Sequence, residues 1–116
     1  MKKRHVIALL LCTLMLTACG GGKPKDMDQQ TYELGKRAVE ITQSWLNAEV
    51  SASEAGQKLD EIYDRLDGLD FETYGRKNHN ETVRIQILTL KADVAMSDSG
   101  KTYDKLKDLK EELNLK

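Results

Sequence analysis

Beyond residue 29 the chain carries four stretches in which apolar side chains return every third or fourth position. Leu34, Ala38, Ile41, Trp45 and Ala48 step by 4, 3, 4 and 3, and Ala55, Leu59, Ile62, Leu66 and Leu69 repeat the rhythm. That period is helical, and no stretch shows the sustained alternation of a half-buried strand. Between the first two stretches, Ser51-Ala52-Ser53-Glu54 has the form of a capping box, a hydroxyl followed three positions later by a glutamate. So short a connection predicts an antiparallel helical hairpin.

The third stretch begins near Asn78-His79-Asn80-Glu81, a second capping signal, and runs to about Met96. It holds two apolar lines: Val83, Ile87, Leu90 and Val94, and beside them Ile85, Leu88, Ala92 and Ala95. An apolar surface that wide predicts a central helix contacting two neighbours. Ser97-Asp98-Ser99-Gly100 breaks the pattern, and Tyr103, Leu106, Leu109 and Leu113 mark a last helix. Gly68 and Gly75 bracket a loop in which Phe71 and Tyr74 are expected to tuck back as plugs. The expected fold is all-α, a small up-and-down bundle of three to four helices.

The first 19 residues read differently. Lys2, Lys3 and Arg4 precede an apolar run from Val6 to Leu16, and Leu16-Thr17-Ala18-Cys19 closes it with small residues. The run is about half of the ~20 residues that a membrane-crossing helix needs. Basic, then apolar, then small is the order of an exported signal. The step into Cys19 resembles the lipobox of bacterial lipoproteins, and the remainder of the chain is similar to small helical members of that class.

The resemblance implies that residues 1–18 are a cleaved leader and that Cys19 becomes the first residue of the mature chain. It would carry a thioether-linked diacylglycerol, often with a third chain on its amine. Two or more chains hold a protein stably on a membrane, since each buried methylene contributes about 0.8 kcal/mol. Residues 19–28, Gly-rich and polar up to Asp28, are then expected to act as a flexible tether, leaving 29–116 as the bundle. By the same analogy Gly20, in place of Asp, favours an outer membrane where there are two, and the outer surface where there is one.

Removal of the leader takes away three basic residues, leaving 15 basic against 19 acidic, a net charge of −4. Bulk charge therefore argues against nucleic acid or an anionic lipid surface as a partner. Cys12 leaves with the leader and Cys19 is modified, so no disulfide is expected and the apolar core must hold the fold alone.

Candidate chemistry is sparse. Ser99-Gly100-Lys101-Thr102 matches the tail of a phosphate-binding loop, but Ala95 stands where the first glycine belongs and a helix precedes it. Asp60, Asp64 and Asp67 share one helix flank and are the weak candidates for a cation site. Calcium wants six to eight oxygens from a loop that wraps it, and a solvated acidic face is the plainer reading. His79, the one histidine left after processing, has no nucleophile or carboxylate motif around it, so capping and loop solvation are its expected roles. Asn80-Glu81-Thr82 fits a glycosylation acceptor formally and coincides with a helix start. The last helix alternates charges densely, with Lys107 and Glu111 placed to pair one turn apart and Asp108 and Glu112 to repel.

Trp45 is expected in the core, and Tyr32, Tyr63 and Tyr103 at stripe margins, where a ring buries while its hydroxyl stays wet. A groove between helices rimmed by these tyrosines is the expected contact surface, with Trp45 joining it in its alternative role of exposed partner anchor. The functional expectation is a lipid-anchored, non-enzymatic envelope protein without cofactors, acting through protein contacts. The alternative is a carrier of a small ligand or ion in an inter-helix groove.

Overall fold

The structure, a computed structural model, describes residues 22–24, 27–69 and 79–115. The leader, Cys19 and the loop residues Phe71, Tyr74, Gly75 and Asn78 lie outside them. Four helices are described: α1 Gln29–Leu46, α2 Ala52–Asp67, α3 His79–Ala95 and α4 Ser99–Glu112. The chain is a small all-α bundle, and no described helix is long and apolar enough to cross a membrane.

The helix starts follow local chemistry. Ser51 accepts a hydrogen bond from the Glu54 amide at 3.1 Å, while the Glu54 carboxylate lies 3.3 Å from Lys58. Asp98 caps α4, its side chain accepting from the Lys101 amide at 3.0 Å. The helix ends are less orthodox. After α1, the amide of Glu49 bonds the carbonyl of Ser44 and that of Ala48 bonds Trp45, a Schellman motif with Ala48 at the left-handed position (φ 61°). Ser97 (φ 54°) ends α3 in the same way, and Asn114 (φ 63°) ends α4. Ala48, expected on the inward stripe of α1, is therefore past the helix end and exposed.

Within the bundle α1 touches α2, α3 and α4, and α3 touches α1, α2 and α4. The diagonal between α1 and α3 is thus the short one. Ala38, Ala55, Leu59, Leu66, Val83, Ile87, Leu90, Val94, Leu109 and Leu113 are fully excluded from water.

Three features depart from the apolar pattern. First, the widest buried face belongs to α1, where Thr31, Gly35, Ala38 and Thr42 form a second line stepping by 4, 3 and 4. Small side chains let neighbours come close: a Cβ on Gly35 would stand 2.7 Å from a methyl of Leu113. Second, the inward line of α4 starts at Thr102, whose hydroxyl donates to the Asp98 carbonyl at 2.7 Å, and Tyr103 is 63% exposed. Third, the segment expected as tether is docked at its end. Met27 is 2% exposed within the core, and the Asp28 amide donates to the Asn80 side chain at 2.8 Å. Met27 before the cap and Tyr32 on the first turn occupy the positions of a hydrophobic staple, so the domain begins by Met27.

Candidate functional site

Two of the three aspartates on the flank of α2 are engaged with α3. The Lys91 ammonium bonds Asp60, and the Arg84 guanidinium lies 3.3 Å from Asp67 and donates to the Tyr63 hydroxyl at 3.2 Å. The two ion pairs are seven residues apart on each helix and in reverse order, as antiparallel helices require. The hydrogen-bonded Asp60 carboxylate holds the Lys91 ammonium above the usual lysine range; desolvation opposes this, and Asp64 and Tyr63 add to it. Lys91 also sits 5.4 Å from the centre of the Tyr63 ring. The three carboxylates do not converge: among the described residues, no three His, Cys, Asp or Glu side chains are grouped to hold a metal ion.

Other sequence candidates are absorbed by the fold. His79 contacts Glu112 through Nδ1, tying the start of α3 to the end of α4. Glu112, placed one turn from Asp108 in sequence, thus turns to a different helix. Asn80 is fully buried with its side-chain oxygen accepting from Asp28, so the folded chain offers no glycan acceptor there. Ser99-Gly100-Lys101-Thr102 is the first turn of α4 with α3 immediately before it, and Thr102 is buried.

The four aromatic residues differ widely in exposure. Tyr32 is 7% exposed in the core, with the Lys36 ammonium 4.6 Å from its ring centre. Trp45 is half-buried against the core, Tyr63 is half-buried beneath Arg84 and Lys91, and Tyr103 stands in solvent. A groove between α1 and α2, about 390 Å³, is lined instead by Arg37, Glu40, Ile41, Lys58, Glu61, Ile62 and Arg65. Its volume would suit a small ligand, but ligand sites are mostly apolar with a few convergent polar groups, and this rim is five exposed charges of both signs.

The surface that stands out is on α3. Its line Val83, Ile87, Leu90 and Val94 is wholly buried, whereas its second line faces water: Ile85 is 48% and Leu88 42% exposed, and Ala92 and Ala95 are exposed with them. Met96 extends the line at 72% exposure. The expected contact of α3 with two neighbours is therefore met by one line alone, which wedges between α2 and α4 toward α1. Gly56, Gln57, Asp60 and Lys91 flank the outer line, forming a shallow groove with Leu88, Ala92 and Ala95. Lone exposed apolar residues are ordinary, whereas these lie in one row over three turns of the helix. Its signal in the sequence was the 3, 4, 3 spacing with no charge among its members.

Comparison with family models, with curated proteins and with solved structures finds no match to this chain.

Proposed function

We propose that this chain is a lipid-anchored, non-enzymatic envelope protein that acts through protein contacts, with the outer line of α3 as its contact face. The observation that carries the contact reading is the water-facing row Ile85, Leu88, Ala92 and Ala95 on a helix whose opposite side is already buried. Apolar area of this kind stabilises an association by about 25 cal/mol per Å² removed from water. The anchor reading rests on Leu16-Thr17-Ala18-Cys19 and its resemblance to a lipobox.

Two substitutions test the two halves separately. Leu88→Glu should abolish crosslinked complexes in intact cells while leaving the helical circular dichroism unchanged. Complexes that persist unaltered would remove α3 from the contact. Cys19→Ala should release the protein into the soluble fraction or block its maturation, and unchanged membrane retention would refute lipidation.

A further inference from the structure

The order of side chains along the outer line of α3 names its occupant. Ile85, Leu88, Ala92 and Ala95 step by 3, 4 and 3, the spacing of a two-helix seam. The two large side chains come first and the two small ones last. The midpoint between Leu88 and Ala92 is residue 90, and so is the midpoint between Ile85 and Ala95. From this order we infer that α3 pairs with α3 of a second copy, antiparallel, about a twofold axis level with residue 90. The inference rests on the contact reading above and adds its partner.

In that arrangement every level of the seam joins a branched side chain to a methyl. Ile85 shares a level with the second copy's Ala95, Leu88 with its Ala92, and the remaining two levels repeat these by symmetry. Facing large against small is how helices fill the space between them without voids or clashes. A parallel pairing would crowd Ile85 and Leu88 against themselves at one end and leave alanines unfilled at the other. The twofold also makes the patch complementary to itself, as an isologous dimer demands.

Two further observations fit. Gly56 lines the same groove, and a Cβ built there meets nothing within 4 Å, so the groove floor is open to an incoming side chain. Charge does not oppose the approach. No member of the seam is charged, and the rim it would bring to the twofold is the Lys91–Asp60 pair, one cation and one anion from each copy. Elsewhere the surface is densely charged and the mature chain is net acidic, so this neutral strip is where two copies can meet. A three-turn seam is smaller than the roughly 800 Å² per partner of a standard interface. The dimer is accordingly a weak, reversible one.

Sedimentation equilibrium of the full chain in density-matched detergent, from micromolar to millimolar, tests this. The wild type should dimerise reversibly. Leu88→Glu and Ala92→Lys should each weaken the dimer by about tenfold or more, which corresponds to 1.4 kcal/mol or more, with helical content and melting temperature unchanged. An equimolar mixture of the two variants should dimerise again. In the mixed dimer the introduced carboxylate of one chain shares a level with the introduced ammonium of the other, and the symmetry-related level keeps its native leucine and alanine. A wild type monomeric at millimolar concentration overturns the inference. So does association that survives both substitutions, or a mixture that stays monomeric. If the wild type is monomeric while Leu88→Glu still removes a crosslinked complex in cells, self-pairing is refuted and the contact reading stands. If neither changes, both fall.

Discussion

Ala48 occupies a left-handed backbone position that costs an L-residue with a Cβ roughly 1–2 kcal/mol. The motif around it is otherwise complete, with both closing hydrogen bonds made. Ala48→Gly should therefore raise stability by about 1 kcal/mol in urea or thermal unfolding. An unchanged midpoint would show that the end of α1 is not held in this motif. Glycine to alanine has opposite expected signs at two helical sites. At Gly56 nothing lies within 4 Å of the new methyl, so the change should stabilise by about 0.5–1 kcal/mol through helix propensity. At Gly35 the methyl would stand 2.7 Å from a methyl of the wholly buried Leu113, which must shift within the packed core. Overpacking of about 1–3 kcal/mol then outweighs the propensity gain, and Gly35→Ala should lower the melting temperature. Equal shifts at both positions would contradict the close approach of α4 to α1.

α2 and α4 draw on neighbours within their own first turns for their starts: Ser51 caps as its sequence context predicts, and Asp98 caps from within the segment read as a break. Pairing between helices needs more distant partners. Lys91 and Arg84 lock α3 onto the acidic flank of α2, but these groups are partly exposed, so the pairs hold register more than they add stability. Asp60→Asn should cost under about 1 kcal/mol, and less in high salt, where charges separated by more than about 3 Å are screened at 1 M. The pH dependence follows from the direction of the Lys91 shift. A lysine held above its ordinary value of 10.5 contributes stability fully below that value and loses it as pH rises through the higher folded-state value. Comparing alkaline melting curves of the wild type and Asp60→Asn should show them converging only above about pH 10.5. Convergence near neutrality would mean that the pair is not formed. The sequence presents this acidic flank plainly; it does not present the cations from α3 that answer it.

The domain is closed by side chains drawn from its two ends and its middle. Met27 enters the core beside α1, and Asp28 bonds Asn80, 52 positions away. Met27→Ala should destabilise the domain by about 2–4 kcal/mol, as truncation of a buried methionine does. A residue on a free leash would give no change in the melting temperature, so the measurement separates the two descriptions. The docked Met27 also limits a tether from Cys19 to residues before it, holding the bundle near any surface to which the cysteine is fixed.

Helix number, order, approximate limits and the Ser51 starting cap could be read from residue order, because each rests on interactions within about four positions. So could the inward line of α2 and the absence of strand-like alternation from the described helices. What residue order left open was which side α3 turns to the others. α3 carries two apolar lines of similar width, and nothing local distinguishes them; packing against α1, α2 and α4 together buried one and left the other in water. The same long-range packing recruited Thr31, Gly35, Thr42 and Thr102, which an apolar count passes over, and placed Tyr103 and Ala48 outside. Burial is a property of surfaces shared between helices, so it emerges once the helices meet. The outer face of α3 is the consequence on which the proposed contact depends.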